Sequence, residues 1–345
     1  ATDGPPPQLT NSDPLIQTVL RDRALQLHLD ATTGTHRLVV PFIYQQEFLA
    51  LLALDRTADH LSWQAEDTDL ITGVAQKQAE QMRAELEVAR QIQGNLLRQS
   101  WPDLDGMKVQ ACCYPAREVG GDFFEVYTHP QGDIWLAVGD VSGKGVPAAL
   151  FMASAISVLR RELSQESPPS PHIVMQNLNQ GLSDDLMSAN CFITMVLAQY
   201  NPTTRKLVYA NAGHIYPLVW SHDAIAARQN GHIEEGNIPE PNYLKVRGIP
   251  LGILPNWKAA AGSVDLNSGE VLLLTSDGIT EATVQTTATA DGAPGTGSKS
   301  MLQQAGLWKL LLNEKQPLDL TNLLSHIRAH NTIQEDDQTI LSLEV

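Results

Sequence analysis

The chain has 345 residues, of which 43% are hydrophobic and 18% charged, and its formal net charge is −16. That length allows two domains with separate cores, and the negative balance opposes binding to nucleic acid or anionic membranes. No apolar run approaches the roughly 20 residues of a membrane-spanning helix.

The first segment, 1–13, is polar and rich in proline and reads as a disordered lead-in. It has neither a basic nor an apolar leader region, so secretion is not indicated, and it lacks an initiator Met, as a fragment would. A helix is predicted over 14–29 from the spacing of Leu15, Val19, Leu20, Leu25 and Leu27. Strand-like runs follow at 37–44 and 48–55. Residues 66–100 read as one long helix with Glu66, Asp67 and Asp69 at its start, where the helix dipole favours negative charge. Within it Ala75, Met82, Ala89 and Leu96 recur every seven residues, alternating with Ile71, Gln78, Glu85 and Ile92. Such a seam predicts a homodimer through 66–100 as a parallel coiled coil; the alternative is a helix lying on its own domain.

From Lys108 onward, strand-like runs lie at 108–114, 134–138, 192–200, 206–210, 271–274 and 339–345. Helical patterns fall at 147–166, 172–187, 301–312 and 318–330, which argues for an α+β domain. The polar stretch 221–246 and the Thr-, Ala- and Gly-rich stretch 283–300 read as surface loops. Three scattered cysteines, Cys112, Cys113 and Cys191, suit neither a disulfide framework nor a zinc site, and point to thiols in a reducing cytoplasm.

Four acidic positions stand beside strand-like runs: Asp122 after Gly120-Gly121, Asp140 in Gly139-Asp140-Val141-Ser142-Gly143-Lys144-Gly145, Asp277 in Thr275-Ser276-Asp277-Gly278, and the pair Asp336-Asp337. Any one of them is equally well explained as turn chemistry, since Asp and Gly are favoured where strands end. Together they offer what hard divalent cations require, several carboxylates converging from separate strands.

In order and flanking residues these segments resemble the metal-dependent serine/threonine protein phosphatases, the PPM family, in its bacterial SpoIIE-like and RsbU-like branch. The resemblance rests on Arg117 to Phe124, Gly139 to Gly145 with Ala148-Ala149, Asn211-Ala212-Gly213-His214 with Pro217, Leu274 to Ala282, and Asp336 to Thr339. It covers 101–345 and implies two stacked antiparallel β-sheets flanked by helices, with the site at one end of the sandwich. The activity implied is hydrolysis of phosphoserine or phosphothreonine by a water bridging two divalent metals, Mn²⁺ or Mg²⁺. The implied ligands are Asp122, Asp140, the Val141 carbonyl, Asp277 and Asp336, with Asp337 either supporting them or holding a further metal. Arg117 and Lys144 are the candidate phosphate-binding cations, with a solvated loop residue as the other reading of Lys144. His214 reads as a structural histidine, with a general acid as the alternative. The branch implies a phosphorylated STAS-domain protein as substrate in bacterial signalling, and a catalytically weak phosphoprotein-binding adaptor is the competing reading. Residues 38–52 resemble the C-terminal half of a GAF sensory domain, so 14–65 is expected to be a partial domain of that type.

Overall fold

The computed structural model describes residues 13–30, 35–44, 47–56, 63–97, 104, 106–223, 225, 240–286, 298–314, 318–330 and 334–345. All of the expected lead-in except Asp13 lies outside the described residues. The chain divides into two compact units, residues 1–89 and 90–345.

In the first unit, helix α1 (Pro14–Asp22) starts at Asp13, whose carboxylate accepts from the Leu15 amide at 2.9 Å. It ends at Arg23, which adopts a left-handed conformation with φ of 51°. The helix predicted to reach residue 29 therefore stops seven residues short, and Gln26–Asp30 forms strand β1. Leu25, Leu27 and Leu29 recur every second residue, a strand period that the helical reading absorbed. Strands β2 (Thr35–Tyr44) and β3 (Glu47–Arg56) complete an antiparallel sheet in the order β1-β2-β3. Ile16 and Val19 of α1 pack on Val39, while Leu38 and Val40 on the opposite face pack on Ala75 and Ile71 of helix α2 (Ala65–Leu97). The leading members of the heptad seam are thus spent on the chain's own sheet. The large apolar side chains that α2 leaves exposed are Leu70, Val74, Val88 and Ile92.

The second unit opens with β4 (Lys108–Tyr114), β5 (Phe123–Thr128) and β6 (Ile134–Val141). Helices α3 (Val146–Leu163) and α4 (Pro171–Ser188) follow, then β7 (Ile193–Asn201), β8 (Lys206–Ala212), β9 (Leu218–Ser221), β10 (Asn242–Tyr243), β11 (Gly262–Asp265) and β12 (Glu270–Thr275). A single turn α5 (Asp277–Thr280) leads to β13 (Thr283–Thr286), β14 (Ser298–Met301), α6 (Gln303–Leu311), α7 (Leu320–His330) and β15 (Gln338–Glu344).

Two five-stranded antiparallel sheets result, ordered β10-β9-β12-β15-β4 and β11-β8-β7-β6-β5. Alternation along β12 sorts its side chains between two cores: Leu272 and Leu274 join the layer shared with the other sheet, while Val271 and Leu273 join the layer beneath α6 and α7. On the far side, Met152, Ile156 and Leu159 of α3 and Met175 and Leu178 of α4 pack against the second sheet. Helices, sheet, sheet, helices is the predicted sandwich. The predicted loop at 283–300 is corrected at both ends, where β13 and β14 pair as a two-stranded ribbon; 287–297 lies outside the described residues. Within the other predicted loop, 221–246, β10 pairs with β9, and 226–239 lies outside the described residues.

Candidate metal centre

Each candidate carboxylate stands where a strand begins or ends. Asp122 immediately precedes β5 and Asp140 is the penultimate residue of β6, and the pairing of Phe123 with Gly139 sets the two acids side by side. Gly139 is bare because the Phe123 ring lies over it; an added Cβ would come within 2.4 Å of that ring. From the other sheet, Asp277 starts α5 just after β12, and Asp336-Asp337 lead into β15. Ser276 and Thr339 lock these two segments together: the Ser276 amide donates to the Thr339 carbonyl at 2.9 Å, and the Thr339 amide donates to Ser276 Oγ at 3.0 Å.

The electrostatics record the convergence. Burial, followed by the charges of Asp277, Asp336 and Asp337, pushes Asp140 up to about 7. Burial and then the Asp140 and Asp337 charges hold Asp122 well above the ordinary carboxylate range. Asp277 is raised by burial and then by Asp336 and Glu281. Without a cation, burial and mutual repulsion favour the protonated forms of Asp122 and Asp140, the usual outcome when carboxylates crowd together.

Asp337 has a different task. Its Oδ1 accepts from the Ala116 amide at 2.7 Å, and its Oδ2 accepts from the amides of Gly121 at 2.7 Å and Asp122 at 3.3 Å. The carboxylate thus organises the loop that delivers Asp122. Two glycines permit this approach: a Cβ on Gly120 would sit 2.1 Å from Asp337 Oδ2, and one on Gly278 would sit 1.9 Å from the Asp337 carbonyl. The same loop is gripped from α2 by buried Gln93, whose amide donates to the Gly120 carbonyl at 2.8 Å and accepts from the Gly120 amide at 3.1 Å. Sequence reasoning missed Gln93. Its one signal is a position four residues before Leu97, on the face of α2 that turns inward.

The two candidate cations part company. Lys144 Nζ pairs with Asp336 Oδ2 at 2.9 Å, and with Asp336 it lines a cavity of about 250 Å³ beside Gly278 and Glu281. Arg117 is exposed and lines a different groove, of about 500 Å³, with Gln93, Tyr114 and Arg328. The Val141 carbonyl faces Gly121, where an added Cβ would approach it to 2.7 Å. Among the described residues no three Asp, Glu, His or Cys side chains surround a common point as they stand. Asp336 is turned to Lys144, and Asp337 to backbone amides.

The donor set nevertheless suits hard divalent cations. It is all oxygen, its negative charge is in excess enough to raise three carboxyl pKa values, and Asp122 Oδ2 is buried without a hydrogen-bond partner. Among the described residues no helix is long and apolar enough to cross a membrane.

This architecture is that of the PP2C-type phosphatase domains. Aligned with the SiaA PP2C domain of Pseudomonas aeruginosa it gives a TM-score of 0.59 at 21% identity, covering 79% of this chain and 99% of that one. Aligned with the phosphatase domain and regulatory fragment of Bacillus subtilis SpoIIE it gives 0.53 at 17% identity, covering 72% and 64%. The family described as Stage II sporulation protein E (SpoIIE) matches residues 130–345, well over half of the chain, and the chain belongs to that family. It is 30% identical over 202 residues to the phosphoserine phosphatase RsbU of Bacillus subtilis, covering 59% of this chain and 55% of RsbU. It is also 30% identical over 225 residues to protein IcfG of Synechocystis, covering 58% of this chain and 33% of IcfG. The chain therefore spans about half and a third of the lengths of these relatives.

Proposed function

We propose that the chain is a metal-dependent protein serine/threonine phosphatase that hydrolyses phosphoserine or phosphothreonine, with a STAS-domain protein of bacterial signalling as the substrate. The observation that carries this reading is the convergence of Asp122, Asp140, Asp277 and Asp336 from two sheets onto one end of the sandwich, where their mutual repulsion leaves negative charge for cations to neutralise. Asp140, whose charge is coupled to Asp277, Asp336 and Asp337, would hold two Mn²⁺ or Mg²⁺ ions together with the Val141 carbonyl, Asp277, Asp336 and Asp122. When bound, such a pair supplies an acidified water and positive charge facing the phosphoryl oxygens. The chain's own contribution is to hold the carboxylates apart at fixed strand ends, through the Ser276–Thr339 lock and the Asp337 grip on the Asp122 loop. No serine or cysteine nucleophile is needed.

The name of RsbU and the family membership support phosphatase chemistry. Three free cysteines accord with a cytoplasmic setting, and the three-stranded sheet with its flanking helices accords with a partial GAF-like sensory unit. Pairing of two copies through α2 would use the exposed Leu70, Val74, Val88 and Ile92. The adaptor reading draws support from the Lys144–Asp336 ion pair, which turns a needed ligand away. One assay separates the two: hydrolysis of p-nitrophenyl phosphate and of a phosphorylated STAS-domain protein with Mn²⁺, and again after chelation. Mn²⁺-dependent turnover of both is the expected result, and binding of the phosphoprotein without turnover would establish the adaptor.

A further inference from the structure

The buried histidine His214 is left unused by the chemistry above. It closes the segment Asn211-Ala212-Gly213-His214, whose first two residues end β8, and its backbone is held by hydrogen bonds and close packing. Asn211, fully buried, accepts from the His214 amide at 2.7 Å and donates to the His214 carbonyl at 3.1 Å, while its own carbonyl accepts from the Gly248 amide at 2.6 Å. Gly213 bridges Met195 of β7 and has φ of 74°, with Pro250 so close that an added Cβ would lie 2.8 Å from it. The turn therefore has one conformation, and the imidazole is aimed by it.

The ring points into the seam between the two sheets. On one side Nδ1 lies 2.8 Å from Thr194 Oγ1, and Thr194 is the residue directly opposite Asp140 in the β6–β7 register. On the other side the Thr275 backbone approaches the ring; Thr275 ends β12 in the opposite sheet, two residues before Asp277. Nε2 is buried and has no partner of good hydrogen-bond geometry. Burial lowers the imidazole pKa to about 4, the Thr275 backbone opposing this in part, so the ring is neutral near pH 7. A neutral ring has one donor and one acceptor nitrogen, so Nδ1 and the Thr194 hydroxyl share one hydrogen bond while the Thr275 backbone lies beside the ring.

We propose that His214 is a positioning residue of the metal site, a spacer between the sheets that holds the Asp140 strand and the Asp277 turn at the separation two bound cations require. It touches neither ligand. Its action passes through Thr194 and Thr275, and side chains that only filled this seam would pack it without defining its width. The proposal rests on reading the carboxylates as a metal site.

The test measures metal binding rather than turnover. The full chain and the variants His214→Ala, His214→Asn and Thr194→Val are titrated with MnCl₂ by isothermal calorimetry, and their thermal midpoints are read by circular dichroism with chelator and with Mn²⁺. His214→Ala is expected to weaken Mn²⁺ binding about tenfold, the size typical for loss of a group that orients ligands. His214→Asn keeps an acceptor where Nδ1 stood and is expected to recover part of that affinity. Thr194→Val removes the same hydrogen bond from the other partner at constant volume and keeps the test decisive should His214→Ala fold poorly; it is expected to weaken Mn²⁺ binding severalfold, with the Thr194→Val/His214→Asn double variant no worse than the weaker single one. Variants that lose thermal stability equally with and without Mn²⁺, at unchanged affinity, would make His214 a packing residue and overturn the proposal. A parent chain that binds no Mn²⁺ would instead overturn the metal-site reading itself.

Discussion

Replacing Asp140 by Asn should stabilise the metal-free protein while destroying its response to metal. Asp140 is carried from the ordinary carboxylate value of 3.8 to about 7 by burial and by three neighbouring acids. Keeping it ionised above pH 7 therefore costs about 4 kcal/mol relative to an exposed carboxylate. Asparagine keeps the shape and loses the charge, so a gain of about 2 to 4 kcal/mol is expected in the absence of metal, or roughly 4 to 12 °C in thermal midpoint. The sign can be followed with pH. The folded state binds the proton more tightly than the unfolded chain, so metal-free parent protein loses stability as pH rises from 4 through 7. The advantage of Asp140→Asn is small at pH 4, grows over that window and is constant above it. With Mn²⁺ at a hundredfold its dissociation constant the parent gains about 2.7 kcal/mol, and a variant binding a hundredfold more weakly gains about 0.4 kcal/mol. Thermal melts by circular dichroism at several pH values, with chelator and with Mn²⁺, provide both readings. A lower metal-free midpoint in Asp140→Asn, or an undiminished Mn²⁺ gain, would refute the reasoning.

Because burial and mutual repulsion raise Asp122 and Asp140, Mn²⁺ binding at pH 7 should release about one proton, seen as a dependence of calorimetric heat on buffer ionisation enthalpy; heats independent of buffer would contradict the raised values. Lys144→Ala frees Asp336 from a half-exposed ion pair worth about 0 to 1 kcal/mol, so Mn²⁺ affinity should rise by up to about fivefold, and any weakening would count against competition between lysine and metal. Arg117→Ala should leave inhibition by inorganic phosphate within about twofold, because its groove is not the cavity that Asp336 lines; a loss worth about 1.5 to 3 kcal/mol would restore it as a phosphate ligand. Gln93→Leu removes both contacts to Gly120, and hydrogen exchange at the amides of 116–122 should quicken at least tenfold, whereas unchanged protection would show that Asp337 alone holds the loop.

How far the fold could be read from sequence depended on whether a segment's partners were local. The acids were legible because glycines and apolar runs mark strand ends in any context, and α3, α4, α6 and α7 were legible from their 3.6-residue period. Strand β5 was not: the charge of Glu125 interrupts its apolar run, and only the fold shows that this carboxylate is buried against Arg160, 35 residues on, at 2.9 Å. The short strands β10, β11, β13 and β14 carry little apolar signal of their own, because pairing with a neighbour defines them. Charge alone does not say where a side chain will lie. Arg117 and Lys144 both stand beside acidic motifs in sequence, yet one side chain lines another groove and the other neutralises an acid. The heptad pattern of α2 was real, but part of it serves an intramolecular sheet, and a seven-residue period does not say whose surface it meets.

Strand β15 lies between β12 and β4, and β4 has no other strand partner among the described residues. The Asp337 carboxylate just before it reaches back 216 residues in sequence to the Gly121 amide. During synthesis, therefore, the Asp122 loop and β4 are made long before the strand that pairs with β4 and the carboxylate that grips the loop. Contacts so distant in sequence form late, because their loop-closure entropy is offset only once the intervening strands have docked. A nascent chain that has not yet displayed Asp336 and Asp337 carries three of the five acids and most of the hydrophobic core. The proposed metal site would be completed only when β15 docks between β12 and β4.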